Sequence, residues 1–172
     1  MIWIPAPWNR SRIAALSCVR IAGSGAGSAM RTIACEGEPA VQTGTAKSEL
    51  SHWPVQIMLV PPTAPFLKNA DLLVVADCVP VTYPDFHRDF LKGKAVMMGC
   101  PKFDDAQHYI EKFSEICKVS GIKSITNVVM EVPCCSAMNA IIQKAMERAG
   151  KTVPVEQITI STRGEELARK TW

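Results

Sequence analysis

A chain of 172 residues that is 48% hydrophobic and 20% charged has room for one sizeable core and an additional tail. A net charge of +3 without a run of Lys or Arg excludes a phosphate-tracking surface, and no stretch is apolar for long enough to span a bilayer. Seven cysteines in a chain with long periodic segments do not read as the disulfide framework of a small secreted domain, so the expected compartment is reducing and cytoplasmic.

The first fifty residues differ from the rest. Arg10 and Arg12 followed by Ile13-Ala14-Ala15-Leu16 have some flavour of an export signal, but the apolar piece is short and Arg20 interrupts it. Ala22-Gly23-Ser24-Gly25-Ala26-Gly27-Ser28 and Glu36-Gly37-Glu38-Pro39 have linker composition without helix or strand period. Gly23, Gly25 and Gly27 resemble part of a dinucleotide turn, yet no convincing helix follows them, and a linker is the better reading. Residues 1–50 are therefore expected to be irregular, and residues 51–172 to form the domain.

From there the pattern alternates. Residues 55–60 predict a strand ended by Pro61-Pro62, and residues 72–76 a second one, apolar throughout as a strand buried on both faces should be. Residues 84–91 suit a short helix and 95–98 a third strand. Residues 104–119 form an amphipathic helix, with Ala106, Ile110, Phe113 and Cys117 three or four apart, an Asp104 or Asp105 cap, and Gly121 as a stop. Residues 124–130 predict a fourth strand. Ser136 is expected to cap a helix whose stripe is Met138, Ile141, Ile142, Ala145, Met146 and Ala149, closed by Gly150; residues 157–161 make a fifth strand. The order predicts an α/β, three-layer domain with a mostly parallel sheet of about five strands, preceded by an irregular N-terminal segment.

Four cysteines fall just past the ends of three of these strands. The segments are Val74-Val75-Ala76-Asp77-Cys78-Val79-Pro80, Val96-Met97-Met98-Gly99-Cys100-Pro101 and Val129-Met130-Glu131-Val132-Pro133-Cys134-Cys135. If the strands are parallel, all four thiols emerge on one edge, where open α/β sheets bind ligands. Cys78, Cys100, Cys134 and Cys135 are then enough ligands for an iron–sulfur cluster or, alternatively, zinc. Cys134 and Cys135 precede a helix start, which favours thiolate, and Pro80, Pro101 and Pro133 restrict the backbone. A strained, reducible disulfide between the neighbours Cys134 and Cys135 is another reading. The plain alternative is that these are small buried hydrophobes. Cys117 continues a helix stripe and reads as core. Cys18 and Cys35 receive no role.

Other polar residues carry less. His87 could serve near Cys78 but more simply is a surface histidine, and His52 and His108 signal nothing stronger. Asp77 and Glu131 precede the cysteines of their loops without forming a recognisable acid–base constellation.

The ordered set Trp53-Pro54-Val55-Gln56, Leu59-Val60-Pro61-Pro62, Ala76-Asp77-Cys78-Val79-Pro80, Asp85-Phe86-His87, Gly99-Cys100-Pro101-Lys102 and Glu131-Val132-Pro133-Cys134-Cys135 resembles the C-terminal domain of ferredoxin-like 4Fe–4S binding proteins of anaerobic bacteria and archaea. The similarity spans residues 49–167. Members of that family usually begin with a ferredoxin module bearing two Cys-x-x-Cys-x-x-Cys-x-x-x-Cys-Pro runs. This sequence has no such run, although Ser28-Ala29-Met30-Arg31-Thr32 resembles the stretch that follows the module. The resemblance implies an iron–sulfur electron-transfer or accessory protein rather than an enzyme, working with a redox protein or subunit. A scaffold that binds zinc or no metal, and a thiol-dependent enzyme, are the alternatives.

Overall fold

The computed structural model describes residues 47–172. The expectations placed on residues 1–46, including the glycine-rich stretch, Cys18 and Cys35, lie outside the described residues.

Five strands form one sheet in the order β2-β1-β3-β4-β5: β1 is Asp71–Ala76, β2 Ala95–Gly99, β3 Ser124–Met130, β4 Val155–Ile160 and β5 Glu166–Thr171. The first four are parallel, and β5 returns antiparallel to β4. In β1 every residue after Asp71 is buried, and in β3 every residue after Ser124. That is the expected state of central strands covered on both faces. Leu72, Leu73 and Val74 of β1 and Val128 of β3 are essentially inaccessible. Each such side chain stabilises the fold by about 1.5–3 kcal/mol relative to its exposed state.

The helices follow from their stripes and caps. Helix α1 is a single turn, Val79–Thr82. Helix α2, Ala106–Val119, starts where the Asp105 side chain accepts from the Gln107 amide at 2.8 Å and the His108 amide at 3.4 Å. Two of the amides that a helix start leaves open are thereby satisfied. Helix α3, Ala137–Ala149, ends in Gly150 at φ 61°, whose amide and that of Lys151 turn back onto the last carbonyls. Tyr109, Phe113, Ile116 and Cys117 of α2 and Met138, Ile141, Ile142 and Ala145 of α3 are buried, and α2 packs beside α3. The chain leaves β1 toward β2 in one direction and then runs through β3 and β4 in the other. Right-handed crossovers therefore place α2 and α3 on one face and α1 on the opposite face, giving three layers.

Three expectations need correction. Residues 55–60 are not a strand: Gln56 makes one isolated parallel bridge to Met98, and the amides of Leu59 and Val60 then turn back to the Gln56 carbonyl. Ile57 and Val60 plug the core while Met58 and Leu59 face outward, so the apolar run belongs to a turn. In place of one helix over residues 84–91 there is α1 and, further on, a π-helical turn His87–Leu91 that buries Phe90 and Leu91. The fifth strand of the sheet is β5, which no apolar pattern predicts, while the strand expected over residues 157–161 is β4, which starts two residues earlier and ends at Ile160.

Segment 52–57 shields the outer edge of β2. The Val96 amide donates to His52 Nε2 at 2.9 Å, Met98 N–H to the Val55 carbonyl at 2.8 Å, and Ile57 N–H to the Met98 carbonyl at 2.8 Å. An edge covered in this way has few free backbone groups to recruit another chain. Among the described residues, no helix is long and apolar enough to cross a membrane.

Candidate functional site

Strands β1 and β3 are neighbours, and the connections leaving them run in opposite directions. Their carboxyl ends therefore flank the crevice that a doubly wound sheet opens to ligands. The loop after β1 carries Asp77 and Cys78, the loop after β2 carries Cys100, and the loop after β3 carries Glu131, Cys134 and Cys135. The turn after β1 has no glycine, so no dinucleotide fingerprint stands there; Ala76-Asp77-Cys78-Val79-Pro80 fills the position.

Hydrogen bonds hold the backbone at Cys78, Cys100 and Cys135. The Cys78 carbonyl accepts from the Thr82 amide at 3.1 Å and the Thr82 hydroxyl at 2.8 Å, and its side chain is exposed. The Cys100 carbonyl accepts from the amides of Phe103 and Asp104, both at 3.0 Å, and its side chain is half-buried. Cys134 and Cys135 lie in a 3-10 turn, Pro133–Cys135, with the Cys135 amide on the Val132 carbonyl at 3.1 Å. Cys134 is exposed and Cys135 buried.

The Cys135 thiol is pushed up to about 11, by burial first and then by the neighbouring sulfurs of Cys134 and Cys100, with a backbone hydrogen bond at Met130 opposing. Burial thus works against the thiolate expected of Cys135 at the start of α3. Ser136 does not cap α3 through its side chain as expected, because its hydroxyl donates to the Pro133 carbonyl at 2.7 Å. All five cysteines among the described residues are free thiols, so Cys134 and Cys135 are not bridged. Cys117 is core, its thiol raised by burial.

Whether these residues suit a thiolate-bound group is a matter of donors and of distance. The donors suit it: soft sulfurs follow three adjacent strand ends, with Cys100 and Cys134 both near enough to act on the Cys135 thiol. As placed, no three His, Cys, Asp or Glu side chains among the described residues stand close enough together to hold a metal ion. Closing a site therefore requires the thiols to come nearer one another, those of the exposed Cys78 and Cys134 among them.

The acidic neighbours are committed elsewhere. Glu131 accepts from the Thr162 amide at 2.8 Å and its hydroxyl at 3.1 Å, pinning the turn after β4. Asp77 accepts from the Gln56 side chain at 3.3 Å. His87 faces away from this chemistry: its Nδ1 accepts from the Glu49 amide at 3.2 Å, and it lines a cavity of about 500 Å³ with Ser48, Asp85 and Lys92 and no cysteine. His108 is exposed on the first turn of α2. Tyr109, which in sequence is only a neighbour of the apolar stripe of α2, enters the site here: its ring is fully buried and its hydroxyl donates to Asp104, whose amide closes the Cys100 turn. The available signal was Gly99, a glycine closing a strand, which marks a close approach of something else to the backbone.

Residues 64–171 match a family model described as a Rossmann-like domain. A protein of Archaeoglobus fulgidus, bearing only the name "Uncharacterized protein", is 38% identical over 116 residues, which cover 67% of this chain and 81% of the relative. No solved structure matches the chain. The family description is one of fold, and the relative's name states no activity.

Proposed function

The chain belongs to the Rossmann-like domain family, and from that premise we propose that it is an iron–sulfur protein of ferredoxin-like type that carries electrons through a 4Fe–4S cluster. Cys78, Cys100, Cys134 and Cys135 would be its ligands. One observation carries the proposal: the four cysteines lie on the loops after β1, β2 and β3, along the sheet edge that includes the β1–β3 switch point where this fold takes its ligands. The sequence resemblance to the C-terminal domain of ferredoxin-like 4Fe–4S proteins points the same way.

When bound, such a cluster supplies one-electron redox chemistry. The chain's own residues do the rest. Cys135, buried under the end of β3, is the anchor least open to water. Cys78 and Cys134, both exposed, are the ligands that complete the set and face a partner. Thr82, Phe103 and Asp104 hold the Cys78 and Cys100 carbonyls, which keeps those two loops from relaxing when a charge arrives. Val81 and Phe103, each 90% exposed, flank Cys78 and Cys100. A redox protein or subunit docking there would shield the site from water.

The test is iron and acid-labile sulfide analysis of anaerobically reconstituted full-length chain, with single Cys→Ser variants at positions 78, 100, 134 and 135. About four irons and four sulfides per chain, lost in the variants, are expected. Zinc without sulfide would make the site structural. No metal after reconstitution would refute the proposal.

A further inference from the structure

Tyr109 stands where the first two cysteine loops meet. Its ring packs edge-on to Phe113 within α2, centroids 6.2 Å apart, and its hydroxyl donates to Asp104. That hydroxyl fills the space a side chain at position 99 would need: a Cβ on Gly99 would overlap the phenol oxygen, lie 2.8 Å from Tyr109 Cζ and 2.9 Å from Ile57 Cδ1. Asp104 is itself bound into the Cys100 turn through its amide. On the β1 side, the Asp77 amide donates to the Gly99 carbonyl at 3.3 Å, and the Asp77 carboxylate is near enough to act on the phenol. One oxygen atom thus touches or faces the residue before Cys78, the residue before Cys100 and the residue closing the Cys100 turn.

We propose that Tyr109 is the positioning residue of the thiol edge: its hydroxyl, bonded to Asp104 and seated in the gap that Gly99 leaves, fixes the Cys100 turn relative to the Cys78 loop. A soft metal, if bound, would find the Cys78 and Cys100 backbones already held in a fixed relation. The proposal rests on the reading of this edge as a metal–thiolate site, and its test separates the two.

The full chain, anaerobic and metal-free, is titrated with Cd²⁺, whose thiolate absorption reports binding. Tyr109→Phe keeps the ring and removes only the oxygen. Its Cd²⁺ affinity should fall about tenfold, the lower end for losing a group that orients a metal ligand, with helix content unchanged. At one fixed pH, alkylation of Cys100 by iodoacetamide should rise several-fold while that of Cys134 stays as in the wild type. Asp104→Asn provides a second variant with the same expected pattern should Tyr109→Phe fold poorly. Ile116→Val, at a buried position of α2 two turns beyond Tyr109, is the control for general loosening of the helix, and it should leave both readouts unchanged. Wild-type affinity and Cys100 reactivity in both variants would overturn the proposal, as would an equal loss in Ile116→Val. If the wild type itself shows no Cd²⁺–thiolate absorption, the metal reading fails, and the alkylation rates still decide the role of Tyr109.

Discussion

The cysteine loops and the hairpin joining β4 to β5 share the carboxyl edge of one sheet, yet they commit their side chains in opposite ways. In the hairpin, the Ser161 hydroxyl accepts from the amides of Arg163 at 3.2 Å and Glu165 at 3.1 Å, and Thr162 is bound to Glu131. Arg169 reaches Glu156 at 3.0 Å and Glu166 at 2.9 Å. The side chains of Ser161, Thr162, Glu166 and Arg169 are thus spent on bonds within the chain. In the loops after β1, β2 and β3 the carbonyls of Cys78 and Cys100 are equally well bound, but the thiols remain unbridged. A fixed backbone carrying uncommitted reactive side chains is what a binding site needs before its ligand arrives. Bonds spent within the chain make structure instead.

That contrast can be broken at several points, in order of expected effect. Gly99→Ala drives a methyl into Tyr109 and Ile57. Overpacking of this kind costs about 2–3 kcal/mol, read as a lower urea midpoint with unchanged slope. A wild-type midpoint would show that the floor under Cys100 is soft.

Ser161→Ala leaves two amides without their acceptor at a buried position. About 1–2 kcal/mol should be lost in the same assay. A loss equal to that of Gly99→Ala would erase the distinction between the two regions.

His52 extends the contrast to the edge of β2. Its Nε2 must be unprotonated to accept from Val96, and burial holds its pKa below the usual 6.5. In the window between the folded value and 6.5 the unfolded chain binds more protons, so stability is fully present above pH 6.5 and declines as pH falls below it. His52→Gln should flatten that acid limb in urea midpoints measured from pH 7.5 downward, and a limb of unchanged slope would show that other groups produce it.

The smallest effect on stability belongs to Cys134→Ser, an exposed and unbridged side chain. Its unfolding free energy should stay within about 0.5 kcal/mol of the wild type while metal binding is lost. A large stability loss would place Cys134 with the hairpin residues, as structure.

How far the sequence could be read depends on where the information lies. Strand β3 was legible to the residue, because an apolar run between Gly121 and a proline has one consistent reading. The end of α3 at Gly150 was legible for a similar local reason, and the cap of α2 to within one residue, since Asp104 and Asp105 offer the same carboxylate and the structure uses Asp105. Strand β5 was not: Glu166-Leu167-Ala168-Arg169-Lys170-Thr171 is charged and exposed, and it becomes a strand through pairing with β4, not through its own pattern. Residues 55–60 misled because two buried residues three apart, Ile57 and Val60, share the composition of a short strand. The grouping of the cysteines on one edge followed from strand order. The lock between Tyr109 and Gly99 did not, since it is a contact between a helix and a strand end that no local pattern encodes.

The most direct test of the central claim is the electron paramagnetic resonance spectrum of the reconstituted full chain after dithionite reduction, beside Cys100→Ser treated identically. The expected result is the signal of a one-electron-reduced 4Fe–4S cluster in the wild type and its loss in the variant. A wild-type spectrum with no cluster signal, from protein that is folded and retains reduced thiols, would contradict the claim.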